Sequence, residues 1–327
     1  MHPILRPFLA HQGVVVLDGG LATELEARGE TLDDPLWSAA VMLDRPERIG
    51  EVHRAYLVAG ADCILTASYQ ASLEGLERRG LTTHEAESVL RRSVEIATAA
   101  RDEFWAARPA ENSRVHPLVA ASVGPYGAFL ADGSEYRGDY DLDVDALIEF
   151  HRRRLEVLVE AGPDLVACET IPSFTEARAL VELLGAETGP PAWLSFSCRD
   201  GVALWDGTPL TRALEECEPA DRIVAVGVNC TAPEHVASLL RAARSATDLP
   251  LVAYPNSGES WDPRAKRWLP GGSGGDALVD RCELWRDLGA RLIGGCCRTG
   301  PAEIERLRAR LLGGPSQVAL PSGERSV

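Results

Sequence analysis

Eight short apolar runs recur along the 327 residues, each followed by a stretch with helical spacing. The first four are VVVLDGG (Val14 to Gly20), DCILTASYQ (Asp62 to Gln70), PLVAASVGP (Pro117 to Pro125) and DLVACETI (Asp164 to Ile171). The second half gives AWLSFSCRD (Ala192 to Asp200), VAVGVNC (Val224 to Cys230), LVAYPNSG (Leu251 to Gly258) and ARLIGGCCRT (Ala290 to Thr299). Successive aliphatic and β-branched residues leave neither face of such a strand for water, which suits a parallel sheet covered on both sides. Between the runs, Pro46 precedes a helical pattern over Ile49 to Ala59, and Thr83 stands where it would cap a long helix from His84 to about Ala107. Val144 to Ala161, Ser173 to Leu184, Thr208 to Cys217, Pro233 to Ala243, Asp276 to Leu288 and Pro301 to Leu312 complete the helical set. Strict alternation of β and α implies parallel strands joined by right-handed crossovers. Such barrels typically take about 250 residues, so the pattern predicts a closed (β/α)8 TIM barrel rather than an open sheet. No strong linker divides the chain. Residues 1–327 are expected to form a single domain, with Gly313 to Val327 a poorly ordered tail.

Composition narrows the class of partner. Hydrophobic residues at 45% and charged residues at 25% allow a full soluble core, and a net charge of −16 disfavours nucleic acid and anionic membranes. No segment approaches the roughly 18 uninterrupted apolar residues of a membrane span, and Met1 to Gln12 does not read as a signal peptide. The expectation is a cytoplasmic protein. Its eight cysteines are then read as reduced thiols, because disulfide frameworks belong to small secreted chains.

Two loops are long, Tyr126 to Asp141 after the third run and Glu259 to Gly275 after the seventh. Both leave the carboxyl ends of strands, where barrel enzymes place their active sites, and both are lid candidates. The sharpest chemical signal is Cys296-Cys297, which ends the eighth run, while Cys230 ends the sixth. In a barrel those ends converge on one mouth. Three sulfur ligands leave one tetrahedral position open, the pattern of a catalytic zinc site. A structural pair of small core residues or a vicinal disulfide also fits the spacing. None of the seven histidines falls at a strand carboxyl end, so an all-sulfur site is the coherent metal option. Cys63, Cys168, Cys198, Cys217 and Cys282 read as packing residues.

DGGLATEL (Asp18 to Leu25), ETIPSFTEA (Glu169 to Ala177), GVNC (Gly227 to Cys230), YPNSGE (Tyr254 to Glu259) and GGCCRT (Gly294 to Thr299) together resemble the homocysteine S-methyltransferase family, and the match covers nearly the whole barrel. GVNC with GGCC at strand ends is specific for that zinc-thiolate family. SVGPYGAFLADGSEYRGDY (Ser122 to Tyr140) resembles its S-methylmethionine-using branch more than its betaine-using branch. The resemblance implies Zn2+ held by Cys230, Cys296 and Cys297, with homocysteine and a sulfonium methyl donor as small-molecule substrates. It places the homocysteine ammonium on Glu169 with Asp18 assisting, and the carboxylate on backbone N–H groups of Leu21 and Ala22 beside Gly19-Gly20. Turn formation by Asp18 and helix capping by Glu169 are the plain alternatives.

The implied chemistry is physically coherent. A free thiol titrates near 8.5, whereas metal binding removes its proton at neutral pH. Three cysteine thiolates give the site a net charge of about −1, and a fourth makes it about −2, which keeps electron density on the nucleophilic sulfur. A sulfonium methyl needs no general acid, so the protein's part is alignment and desolvation. Thr66, Ser68 and Tyr69 are weaker candidates for polar contacts to substrate, and Asn229 and Asn256 for orienting ligands. Glu135 and Tyr136 are placed to meet the donor by charge and cation–π attraction. Trp37, Trp261 and Trp268 either shield the mouth or pack loops.

Three other readings compete. The same barrel can use betaine or S-adenosylmethionine as donor. The open metal position can activate water for hydrolysis, or the cysteines can be purely structural. Methionine synthases share the barrel but carry folate and cobalamin domains after it, for which this chain has no room beyond its last motif.

Overall fold

Strands that are apolar on both faces need a layer on each side, and a sheet closed on itself supplies both. The computed structural model describes residues 1–31, 38–109, 113–186, 188–218, 220–262, 267–269 and 275–313. Its strands are β1 (Val15–Val16), β2 (Cys63–Leu65), β3 (Leu118–Val123), β4 (Leu165–Ile171), β5 (Ala192–Phe196), β6 (Ile223–Asn229), β7 (Leu251–Tyr254), β8 (Ser260–Asp262), β9 (Arg267–Leu269) and β10 (Ala290–Ile293). Eight are neighbours in the order β1, β10, β7, β6, β5, β4, β3, β2, and every pairing among them is parallel. The ring closes where Leu17 bridges Cys63. There Asp62 N–H donates to Val16 O at 2.6 Å and Asp18 N–H to Cys63 O at 3.1 Å. The expected (β/α)8 barrel is present, and all eight apolar runs supply its strands.

Side-chain parity divides the core in two, since successive strand residues point to opposite faces. Val15, Leu17, Cys63, Leu118, Ala120, Leu165, Ala167, Trp193, Ala225, Val252, Tyr254 and Leu292 form the cluster inside the barrel. Val16, Ile64, Val119, Val166, Cys168, Leu194 and Val226, of the other parity, pack with the surrounding helices. Leu5 and Phe8, at the helix Arg6–Gln12, join the interior cluster, so the segment before β1 packs against the amino-terminal end of the barrel. Each large aliphatic side chain buried this way contributes about 1.5–3 kcal/mol relative to exposure.

The eight long helices sit close to their expected positions: Pro46–Ala59, Thr83–Ala107, Val144–Glu160, Phe174–Ala186, Leu210–Cys217, Pro233–Ala246, Asp276–Asp287 and Pro301–Leu312. One boundary needs correcting. The cap of the long second helix is Thr82, not Thr83, because the Thr82 hydroxyl accepts Glu85 N–H while the Glu85 carboxylate accepts Thr82 N–H at 2.8 Å. The loop after β3 is not irregular throughout, since it holds a helical turn at Tyr126–Leu130 and a 3-10 turn at Ser134–Tyr136. The loop after β7 carries the antiparallel pair β8–β9, with Trp261 opposite Trp268. Trp37 and the tail beyond Gly313 lie outside the described residues. No described helix is long and apolar enough to cross a membrane.

Candidate metal centre and substrate cleft

A cleft opens at the carboxyl ends of the strands, with about 960 Å³ of empty space including its open mouth. Each barrel strand that reaches it contributes through the same parity rule. In β4, Leu165 and Ala167 point inward, so Glu169 does too; in β3, Leu118 and Ala120 set the same phase for Ser122. Ser122 Oγ donates a short hydrogen bond to Glu169 Oε1. Burial pushes the Glu169 carboxyl up to about 7, with the Ser122 hydrogen bond pulling the other way. Asp18, one residue past the Leu17 bridge, is 4% exposed, and its Oδ2 accepts Leu65 N–H at 2.8 Å. Burial, with the nearby charge of Glu169 adding to it, lifts the Asp18 carboxyl well above the usual carboxylate range against that hydrogen bond.

The loops after the first and last barrel strands are stitched together. Gly295 N–H donates to Asp18 O and Gly20 N–H to Thr299 O, both at 2.9 Å. The Tyr56 hydroxyl lies 3.0 Å from both Gly20 O and Thr299 O. A side chain at Gly19 would put its Cβ 2.6 Å from Thr299 O, and at Gly20 2.7 Å from Cys296 O. The bare backbone of the Gly19-Gly20 step lets these loops meet.

Cys230, Cys296 and Cys297 meet at this mouth. Their sulfurs all lie within 4.8 Å of one another, and those of Cys230 and Cys297 are 3.7 Å apart. Thiolates on one tetrahedral zinc, at Zn–S of about 2.3 Å, stand about 3.8 Å apart. The cysteines are not cross-linked to each other or to the other five. Cys296 and Cys297 hydrogen-bond to Cys230 and hold its thiol well below the usual range. The set therefore fits a soft divalent cation with an open fourth position. Among the described non-glycine residues, four have positive φ, and three flank the site: Thr170 at 63°, Cys230 at 44° and Arg298 at 64°. Left-handed backbone at such residues is strained, and here it turns the chain sharply after Glu169, at Cys230 and after Cys297. Arg298 is held by its N–H to Thr23 Oγ1 at 2.8 Å and its Nε to Glu259 Oε2 at 2.7 Å.

The turn after β3 brings Glu135 and Tyr136 over the cleft. Tyr136 Oη lies 3.4 Å from Cys230 Sγ, and its ring meets Trp205 edge-on at 5.9 Å. Burial raises the Glu135 carboxyl to about 7. Of the residues singled out in the sequence, Asp18, Leu21, Ala22, Thr66, Tyr69, Glu135, Glu169, Cys230, Cys296 and Cys297 all line the cleft. Ser68, Asn229 and Asn256 do not. Ser68 Oγ donates to Ser122 O at 2.7 Å and ties β2 to β3. Asn229 Oδ1 accepts Thr170 N–H at 2.7 Å, and Asn256 Oδ1 accepts Gly258 N–H at 2.9 Å. Ser122, Tyr254 and Thr170 also line the cleft and were not anticipated. Inward parity in β3 and β7 was the signal for the first two.

A family model described as homocysteine S-methyltransferase matches residues 15–311. A protein of Bacillus subtilis named homocysteine S-methyltransferase YbgG is 48% identical, over 94% of this chain and 98% of its own. A homocysteine S-methyltransferase of Escherichia coli is 50% identical, again over 94% and 98%. Among solved structures, the metallated form of the homocysteine methyltransferase MmuM from Escherichia coli superposes with a TM-score of 0.84 at 48% identity, covering 94% of this chain and 99% of that one.

Proposed function

Since the chain belongs to the homocysteine S-methyltransferase family, we propose that it moves a methyl group from S-methylmethionine to the sulfur of homocysteine. The bond from the donor's sulfonium sulfur to its methyl carbon breaks, the bond from homocysteine sulfur to that carbon forms, and the thiol proton is released. Two methionines result, one from each substrate. The observation that carries this reading is the three-thiol cluster of Cys230, Cys296 and Cys297 beside the buried carboxylates Asp18 and Glu169.

Cys230, Cys296 and Cys297 would hold zinc. When bound, zinc supplies a Lewis acid that makes the substrate thiol a thiolate at neutral pH. Glu169 and Asp18 bind the homocysteine ammonium, whose positive charge compensates the cost of ionising carboxyls this deeply buried. The N–H groups of Leu21 and Ala22, in the first turn of the helix Leu21–Ala27, receive the carboxylate. Thr66 and Tyr69 complete the wall. Glu135 and Tyr136 face the sulfonium, one by charge and the other by its ring. The turn that carries them excludes water from the reacting sulfurs. The small substrates account for the cleft without nucleic acid or membrane, and we place the enzyme in the cytoplasm.

The test is methionine formation from homocysteine with S-methylmethionine, beside S-adenosylmethionine and betaine, with and without a zinc chelator. Chelator-sensitive turnover with S-methylmethionine is expected. No turnover with any donor, in reduced protein shown to contain zinc, would overturn the reading.

A further inference from the structure

Tyr254 ends β7, is 2% exposed and lines the cleft. Its hydroxyl oxygen lies 2.6 Å from Ser195 Oγ and accepts Trp193 Nε1–H at 3.0 Å. The neighbours fix where its single proton points. Thr170 N–H can only donate, so the Asn229 atom 2.7 Å away must be Oδ1, and Asn229 Nδ2 then donates to Thr170 Oγ1 at 2.7 Å. A flipped amide would set two donors face to face. Ser195 Oγ is 2.9 Å from the same Oδ1, which can only accept, so the Ser195 proton occupies that contact. The 2.6 Å contact between Ser195 and Tyr254 then has one source of hydrogen left, the phenol proton. Trp193 takes one lone pair of the phenol oxygen. Tyr254 therefore offers the cleft a lone pair and no proton.

Glu169 lies beside that oxygen. An ionised carboxylate is also acceptor-only, and Ser122 Oγ donates to its Oε1. When Glu169 is ionised, the two present acceptors side by side, which a ligand bearing several donors satisfies together. We propose that Tyr254 is a specificity-determining residue: as an obligate acceptor it takes one hydrogen of the substrate ammonium next to Glu169, so that the cleft selects α-ammonium thiols over thiols lacking that group. This rests on the reading that homocysteine occupies the cleft.

The experiment is calorimetric titration of zinc-loaded protein with homocysteine and with 4-sulfanylbutanoate, which keeps the thiol and carboxylate and lacks the ammonium. Wild type, Tyr254→Phe and Ser195→Ala are compared, with thermal unfolding as the check on folding. A hydrogen bond to a charged group predicts that Tyr254→Phe binds homocysteine about tenfold to a hundredfold more weakly. The analogue should bind it no worse than it binds wild type. Ser195→Ala frees the phenol proton to face the cleft, so homocysteine alone weakens there too, although Ser195 is not among the cleft-lining residues. Equal weakening of both ligands in Tyr254→Phe, or unchanged homocysteine affinity, overturns the inference. Should Tyr254→Phe fail to fold, the same two criteria apply to Ser195→Ala. Wild-type protein that does not bind homocysteine removes the functional reading and this inference with it, whereas intact binding with an ammonium-blind Tyr254 removes the inference alone.

Discussion

Arg154, on the helix Val144–Glu160, is 1% exposed and donates to three backbone carbonyls. Its Nη2 reaches Ser68 O and Tyr69 O at 2.7 Å, and its Nη1 reaches Gly124 O at 3.0 Å. One guanidinium thus holds the turn after β2 against the turn after β3. Hydrogen bonds from a charged donor contribute about 1.5–3 kcal/mol each, so three give roughly 4.5–9 kcal/mol. Burial opposes them, and it draws the Arg154 pKa from 12.5 to about 10. At 1.36 kcal/mol per pKa unit that difference is about 3 kcal/mol. The net loss in Arg154→Met is then about 1–6 kcal/mol, centred near 3, a large part of the 5–15 kcal/mol of a typical domain. Urea unfolding followed by tryptophan fluorescence measures it. Because Tyr69 lines the cleft, KM for homocysteine should rise in the same variant under conditions where it is fully folded. Arg154→Lys keeps the charge but not the planar fork, and should fall between the two. An Arg154→Met protein within 0.5 kcal/mol of wild type, with unchanged KM, would refute the account.

Two further outcomes follow from single residues. Cys230→Ser should lower bound zinc, measured by atomic emission on reduced protein, and reduce turnover at least a hundredfold; zinc content and rate equal to wild type would end the three-thiol assignment. His53 is fully buried, neither ring nitrogen has a hydrogen-bond partner, and burial lowers its pKa from 6.5 to about 4. The unfolded chain therefore binds more protons between those values, so His53 stability is complete above pH 6.5 and is lost as pH falls toward 4, by about 3 kcal/mol. His53→Leu should flatten the pH dependence of the urea midpoint across that window, and an unchanged slope would contradict the burial argument.

The barrel was legible because its signal is repeated. Eight apolar runs with helical spacers have few other solutions, and Cys230 with Cys296-Cys297 at run ends pointed to one mouth. Short elements were not, since the helices Leu21–Ala27, Ser38–Asp44, Leu73–Arg78 and Tyr126–Leu130 are each too brief for a 3.6-residue period to stand out. The Thr82 cap was readable, because Thr82 and Glu85 have capping-box spacing, yet Thr83 competed for it. Ser122 and Tyr254 follow from parity once the strand phase is known, whereas the left-handed turns at Thr170, Cys230 and Arg298 leave no mark on composition. Ser68 read as a substrate contact and Asn229 as an orienting group, both from polar character at strand ends. Their hydrogen bonds instead hold the frame.

The joining of the first and last barrel loops also has a consequence for the order of synthesis. Cys230 and Cys297 are 67 positions apart, so Cys230 leaves the ribosome well before its partners. The turn that carries Cys296 and Cys297 is in turn fastened to Asp18 and Gly20, near the start of the chain. A nascent polypeptide that has completed β7 thus holds one of the three clustered thiols and lacks the other two. The three-thiol set exists only when the segment of Cys296 and Cys297 returns to the start of the chain, so a metal held by all three would enter after the barrel closes.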